Sequence, residues 1–100
     1  MRIRWTEQAV DDLAGIKSYI ARDSAVLAQL VATRLYNAVD QLSAFPDSGR
    51  IVPERGDPTL RELVRRPYRI VYERLEDVVV ILTIFHAARM FPEHVEPPSR

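Results

Sequence analysis

Hydrophobic residues recur at helical spacing through the first half of the chain. Polar and apolar residues alternate over residues 2–5, which predicts a short half-buried strand, and Thr6 is a suitable N-cap for a helix after it. Asp23 and Ser24 divide the apolar positions that follow into two runs. The first run is Ala9, Leu13, Ile16 and Ile20, and the second is Leu27, Val31, Leu35, Ala38, Leu42 and Phe45. These runs predict an antiparallel helical hairpin. The apolar positions repeat over too few heptads for a coiled coil and are expected to pack in the core of the domain.

The second half of the chain has the pattern of a β-hairpin preceded by a long loop. Residues 46–58 hold three of the seven prolines and two of the three glycines, so regular structure should stop there. Strands are then predicted over residues 60–66 and 68–75, separated by Pro67. Residues 78–85 are apolar on both alternating faces, which predicts the central strand of the sheet.

The predicted fold is a single α+β domain over residues 1–100, with residues 92–100 as a tail. Its element order is β-α-α-β-β-β, with an N-terminal strand and the helical hairpin packed on one face of a small, twisted, mostly antiparallel sheet. Two helices can cover only one face of that sheet. A bound polypeptide, or alternatively Trp5, the long loop and the tail, is therefore expected to cover the other face.

Charge and composition exclude several classes of protein. Fourteen Lys and Arg residues balance fourteen Asp and Glu residues, and neutrality argues against nonspecific nucleic-acid binding. The chain has no cysteine, which excludes disulfides and thiolate sites and favours a reducing compartment, the cytoplasm. No apolar run approaches the roughly 20 residues needed to span a bilayer. Phosphate-binding loops, catalytic triads and metal-ligand clusters are absent from the sequence, so no cofactor or metal is expected.

Arginine is concentrated in one part of the chain. Residues 61–76 contain five arginines against three glutamates, and an arginine-rich sheet edge suggests an acidic peptide or a nucleic-acid backbone as partner. Strict strand alternation places Arg61 and Arg65 on the face that carries Leu63, and Arg69 on the face that carries Val71 and Glu73. The alternative is that these arginines pair with glutamates of neighbouring strands.

Four residues after the last strand could carry chemistry or contacts. His86 and Arg89 could act as a general acid or base with an anion-stabilising cation, or could be structural. Met90 and Phe91 could anchor a partner, or could fold back to close the core.

Four segments together resemble the ParE branch of the ParE/RelE family of bacterial toxins from type II toxin–antitoxin pairs. In order they are WTEQAVDDLAGIKSYIA, a second helix ending in LSAFPDSGR, LRELVRRPYRIVYE and VVVILTIFHAAR. The resemblance covers about residues 3–91. It implies the two-helix hairpin on a small sheet that the hydrophobic pattern also predicts.

The resemblance implies two competing activities. ParE-like members poison DNA gyrase and have no established enzymatic activity, whereas RelE-like members cut messenger RNA on the ribosome. Arg69 matches a position that serves the nucleases as anion stabiliser, but no tyrosine follows Tyr72 and no lysine follows Lys17. A pI near 6.7 also disfavours docking on ribosomal RNA, so poisoning of gyrase is favoured over cleavage of messenger RNA. An inactive member that only binds its antitoxin or acts as a co-repressor is a third alternative.

The resemblance also implies partners. A ParD-like antitoxin should bind the toxin in a hetero-oligomer, and the toxin alone should not bind a specific nucleic-acid sequence or a membrane. The expected antitoxin contacts are Arg61, Arg65, Arg69, Tyr72 and Arg89. The expected target contacts are His86, Arg89, Met90 and Phe91.

Overall fold

The computed structural model describes residues 1–93 and 95. It confirms the predicted α+β fold, and the long loop contributes one additional two-residue strand. The elements are β1 (Arg2–Trp5), α1 (Glu7–Ala21), α2 (Ala25–Asp40), a 3-10 turn (Gln41–Ser43), β2 (Arg50–Ile51), β3 (Leu60–Arg65), β4 (Tyr68–Arg74) and β5 (Val78–His86). Each predicted strand boundary lies within one residue of the observed one.

The five strands form one sheet in the order β1-β5-β4-β3-β2. β1 runs parallel to β5, and the other neighbouring pairs are antiparallel. The prediction that β5 is the central strand is wrong, because the loop strand β2 extends the sheet beyond β3 and β4 becomes the middle strand. β5 is nevertheless flanked on both sides, which accounts for its apolar sequence.

Both helices begin where the capping residues predict. The Thr6 side chain accepts a hydrogen bond from the Ala9 N–H, and the Ser24 side chain accepts one from the Leu27 N–H, each at 3.1 Å. The predicted set of core-facing positions of the second helix is only partly correct, because the α-helix ends at Asp40. Phe45 lies beyond this end and is 66% exposed. At the other end of the helix, Leu27 faces solvent, and the neighbouring Ala28 and Ala32 are buried instead.

The principal core lies between the helices and the sheet. Leu35, Val39 and Leu42 of the helical layer pack against sheet residues that include Ile70 and Ile81. Asp12 of α1 also joins the layers, since its carboxylate accepts hydrogen bonds from the Thr83 hydroxyl and the Ile84 N–H. Trp5 lies on this same side of the sheet and stacks on Tyr36, with ring centroids 6.2 Å apart.

The second face of the sheet is covered by the chain itself. Val52 from the long loop and Val95 from the tail are buried there beside Val71, Leu82 and Phe85. The loop and tail therefore provide the cover that was one of the two sequence-based alternatives, whereas the expectation that Trp5 contributes to this cover is wrong. A bound polypeptide is not needed to bury this face.

Candidate functional site

Arg69 lies at the centre of an ion-pair cluster on the second face of the sheet. Its Nε donates to Glu62 Oε1 at 2.6 Å, and its two terminal nitrogens donate to the two Glu54 carboxylate oxygens at 2.8 Å each. Arg69 is only 8% exposed. All three guanidinium nitrogens are therefore engaged by carboxylates of the same chain.

Glu62 is shared by two arginines from the strands on either side of it. Its side chain is fully buried, and its second oxygen accepts a hydrogen bond from Arg50 Nε at 2.6 Å. Cross-strand pairing with glutamate, the alternative to partner recognition, is thus confirmed for Arg69. Arg74 instead pairs with Asp47 at the start of the long loop, at 2.8 Å.

The ion pair between Arg69 and Glu54 stays charged around neutral pH. The hydrogen bonds from Arg69 lower the pKa of the Glu54 carboxyl to about 2, although partial burial opposes this shift. The same hydrogen bonds, with a smaller contribution from Glu62, raise the pKa of Arg69 above its ordinary value. Each partner therefore holds the other in its charged form.

Phe91 folds back onto this cluster from the tail. Its ring meets Phe85 edge to face at a centroid distance of 5.7 Å. The guanidinium carbons of Arg55 and Arg69 lie 5.4 and 5.6 Å from the centre of the Phe91 ring. Core closure, one of the two sequence-based alternatives for Phe91, is therefore its structural role, and its contact with a target stays a prediction.

Tyr72 is buried on the opposite face of the sheet and fastens the start of the long loop. Its hydroxyl donates to the Pro46 carbonyl at 2.8 Å and accepts from the Gly49 N–H at 2.9 Å. Burial raises the pKa of the Tyr72 phenol. A Cβ at Gly49 would lie 2.5 Å from the Tyr72 oxygen, so this approach requires glycine.

The expected antitoxin contacts do not form one continuous surface. Arg61 pairs in register with Tyr72 on the helix side of the sheet, and its Nη1 donates to the Gly49 carbonyl at 3.0 Å. Arg65 is half-buried on that same side, whereas Arg69 lies on the second face. The assignment of these residues to antitoxin binding stays a prediction, and burial of Arg69 and Tyr72 gives both a structural role within the chain.

The expected target contacts lie on an exposed turn at the end of β5. Residues 86–90 are all exposed, and Met90 is the most exposed large hydrophobic residue in the described part of the chain, at 86%. His86 packs against the edge of Tyr68, and its Nδ1 accepts a hydrogen bond from the Ala88 N–H at 3.0 Å. The structure thus brings His86, Arg89 and Met90 together and directs Phe91 inward.

A basic cleft lies beside this turn. It has a volume of about 430 Å³ and is lined by Arg50, Val64, Arg66, Pro67, Arg69 and Ala87. Cleavage of RNA through its 2′-hydroxyl would need a base, an acid and a cation that stabilises the developing anion. Arg69, the buried cation of the cleft, is already bound to two carboxylates.

A second, apolar groove runs between the two helices and was not predicted from the sequence. It has a volume of about 680 Å³ and is lined by Trp5, Val10, Leu13, Ala14, Lys17, Gln29, Ala32, Thr33 and Tyr36. Val10 and Tyr36 are 51% and 54% exposed. The signal in the sequence was the presence of large apolar residues at helical positions outside the core-facing stripe.

Two kinds of feature are absent from the described part of the chain. Residues 1–93 and 95 contain no group of three or more side chains that could hold a metal ion. Within the same residues, neither helix is long and apolar enough to cross a membrane.

Comparison with known proteins defines the class of the chain. Residues 3–91 match the family described as the ParE toxin of the type II toxin–antitoxin system parDE. Toxin RelE2 of Caulobacter vibrioides is 41% identical over 90 residues, which cover 89% of this chain and 98% of the relative. The chain therefore belongs to the ParE toxin family within the ParE/RelE superfamily, and it is a toxin of a type II toxin–antitoxin system.

Two solved structures share the fold. The chromosomal ParDE system of P. aeruginosa aligns with a TM-score of 0.71 and 24% identity, covering 86% of this chain and 95% of the other. The RelBE2 toxin–antitoxin complex of Mycobacterium tuberculosis aligns with a TM-score of 0.61 and 22% identity, covering 85% and 95%. Both are toxin–antitoxin systems, and their names span the ParE and RelE branches.

Proposed function

We propose that this toxin poisons DNA gyrase, that it has no catalytic activity of its own and that a ParD-like antitoxin neutralises it. The observation that carries the proposal is that all three guanidinium nitrogens of Arg69 are already bound to carboxylates of the same chain. A phosphate bound at Arg69 would have to displace the Glu54 carboxylate, which holds both terminal nitrogens at 2.8 Å. Bidentate carboxylate pairs of this kind are among the stronger hydrogen-bonded contacts in proteins.

The remaining polar groups near the cleft do not assemble a nuclease site. His86 precedes Ala87, which lines the cleft, but its Nδ1 already accepts a hydrogen bond from the Ala88 N–H. The Tyr72 phenol is buried on the opposite face and bonded to the loop backbone. A ribosome-dependent endoribonuclease is therefore the second candidate, supported by the arginine-lined cleft and opposed by the carboxylates that neutralise it.

The target-binding surface in this proposal is the exposed turn at residues 86–90. A highly exposed methionine beside an arginine and a histidine combines an adaptable apolar contact with positive charge. Such a surface fits a partner that offers an apolar pocket with an acidic rim. His86, Arg89 and Met90 are the proposed target contacts.

The antitoxin in this proposal lays an amphipathic helix into the apolar groove between α1 and α2. The groove offers Trp5, Val10 and Tyr36 to the apolar face of such a helix, and Lys17 could pair with an acidic residue on its edge. The two structural relatives are toxin–antitoxin systems, which supports an antitoxin as the occupant. Arg61, Arg65 and Arg89 remain proposed contacts for other parts of the antitoxin.

The target surface can be tested with purified gyrase, by measuring how much cleaved plasmid DNA accumulates as toxin is added. Arg89→Glu and Met90→Asp are expected to abolish the accumulation, because they place negative charge on the proposed contact surface. Arg22→Glu is the matched control, since Arg22 is exposed at the loop between the helices. Wild-type potency in both turn variants would contradict the assignment of the turn.

The groove is tested by antitoxin affinity. Thr33→Arg places a long charged side chain within the groove and is expected to weaken antitoxin binding at least tenfold, the equivalent of about 1.4 kcal/mol. Asn37→Arg is the control, because Asn37 is exposed on the same helix but does not line the groove. Equal affinities of the two variants would exclude the groove as the main antitoxin site.

A further inference from the structure

The exposed turn at residues 86–90 is held at both of its ends. At its start, the Ala87 N–H donates to the Pro67 carbonyl at 2.7 Å, and the Arg89 N–H donates to the His86 carbonyl at 3.0 Å. At its end, Phe91 leaves the surface and packs against Phe85. Five consecutive exposed residues therefore stand between two fixed points.

Arg55, in the long loop, makes the contacts that hold the second fixed point. Its guanidinium lies 5.4 Å from the centre of the Phe91 ring, and its Nη2 donates to the Val95 carbonyl at 3.2 Å. These two contacts join the long loop to the chain on both sides of Pro92.

Phe91 and Val95 each make a further contact with the domain. The guanidinium carbon of Arg69 lies 5.6 Å from the centre of the Phe91 ring, and Val95 is buried in the apolar cluster on the second face of the sheet. Arg69 is fixed in place by its two glutamates, so it provides a rigid surface against which Arg55 holds the ring. The Phe91 ring is consequently contacted by two guanidinium groups that come from different elements.

We propose that Arg55 is a positioning residue for the target-binding turn: by holding Phe91 and Val95 against the sheet, it fixes where Arg89 and Met90 leave the domain. This inference rests on the proposed function, because it assumes that the turn meets the target. A surface turn presented from two anchors loses less conformational freedom when it binds than a free tail would. Loss of the Arg55 contacts should therefore weaken target binding without touching the target-binding residues themselves.

The test compares Arg55→Gln with Arg55→Lys and with a matched control. Lysine keeps a cation over the Phe91 ring, so Arg55→Lys should retain part of the wild-type exchange protection and potency that Arg55→Gln loses. The control is Arg22→Gln, which removes another surface arginine from an aromatic ring, since Arg22 lies 5.6 Å from the centre of the Tyr19 ring. Three quantities are measured on each full-length protein: amide hydrogen exchange over residues 87–91, gyrase-dependent accumulation of cleaved DNA, and antitoxin affinity.

Arg55→Gln is expected to speed exchange in the turn and to raise the toxin concentration needed for half-maximal DNA cleavage, each by about tenfold. This factor corresponds to losing an exposed cation–π contact together with the hydrogen bond to the Val95 carbonyl. Antitoxin affinity should change much less than potency, because the groove proposed as the main antitoxin site lies on the other side of the sheet and Arg89 is the one proposed antitoxin contact in the turn. Arg22→Gln should match the wild type in all three measurements. Phe91→Leu should reproduce the Arg55→Gln result and Phe91→Trp should not, since only tryptophan retains an aromatic face.

Three outcomes would overturn the inference. Wild-type exchange and potency in Arg55→Gln would show that Arg55 does not position the turn. Faster exchange without loss of potency would show that the position of the turn is irrelevant to the target, and loss of potency without faster exchange would indicate direct contact between Arg55 and the target. If the wild-type toxin leaves gyrase unaffected, the proposed function fails and the inference fails with it, which distinguishes this case from the other three.

Discussion

Replacement of Arg69 by methionine tests whether the buried cluster is structural. The change leaves Glu62 fully buried with only Arg50 as partner, while Glu54, whose side chain is 40% exposed, returns to solvent. Removing one member of a buried ion pair costs about 3–5 kcal/mol, and the surviving Arg50 bond at 2.6 Å places this variant near 3 kcal/mol. For a domain of this size, at about 4–8 °C per kcal/mol, that loss lowers the melting temperature by about 12–24 °C.

The matched variant removes the stranded charge as well. In Glu62→Leu/Arg69→Met no buried carboxylate is left without its main partner, and replacing a buried pair by apolar residues is often neutral for stability. Methionine also keeps an apolar contact with the Phe91 ring. The double variant is therefore expected to recover at least about 2 kcal/mol of the loss, measured by urea denaturation of the purified protein.

Toxicity of the double variant decides the role of Arg69. If Arg69 acts only through folding, the double variant should inhibit growth as the wild type does. Restored stability with lost toxicity and normal antitoxin binding would show instead that Arg69 acts beyond folding, either by contact with the target or a phosphate or by positioning the Phe91 ring. A loss below about 1 kcal/mol in Arg69→Met would refute the buried-pair argument itself.

Three further predictions concern stability and can all be read from urea midpoints. Because the pKa of Glu54 is lowered, its ion pair stabilises the fold fully above pH 4.5, and this contribution is lost as the pH falls through about 2. Glu54→Gln should lower the free energy of unfolding at neutral pH by only about 1 kcal/mol, because the exposed side chain is screened by solvent. A flat acid limb in the wild type would contradict this. Tyr72→Phe should cost about 1–3 kcal/mol, since it leaves the buried Gly49 N–H without its hydrogen-bond acceptor, and an unchanged midpoint would show that water replaces the phenol. Asp12→Ala should cost a similar 1–3 kcal/mol by stranding the Thr83 hydroxyl and the Ile84 N–H, and Asp11→Ala, at an exposed neighbouring position, should be close to neutral.

The features of the fold that depend on neighbours in sequence could be predicted. The caps at Thr6 and Ser24 and the strand boundaries beside Pro67 follow from local chemistry, and the structure has them where the sequence indicates. Phe45 fits the helical period but lies beyond the end of α2, where the chain has already left the helix. A hydrophobic pattern alone does not show where a helix stops.

The features that depend on long-range pairing could not be predicted. Pairing of Arg69 with a glutamate of a neighbouring strand was one of the two sequence-based alternatives, but its second partner, Glu54, comes from the long loop. Nothing in the local sequence distinguishes Glu54 from other glutamates nearby. The same limit applies to the cover of the second face, because Val52 and Val95 are 43 positions apart in sequence and meet only through the fold.

The proposal that this toxin poisons gyrase is best tested by the amount of cleaved plasmid DNA that purified gyrase accumulates in its presence. Linear DNA is expected to increase in proportion to added toxin and to be suppressed by the antitoxin, while messenger RNA on translating ribosomes stays intact at the same toxin concentration. Unaffected gyrase together with cuts in the ribosomal A site would contradict gyrase poisoning and would identify the chain as a ribosome-dependent endoribonuclease. Unaffected gyrase and intact message would contradict it as well, and would leave antitoxin binding as the activity of the chain.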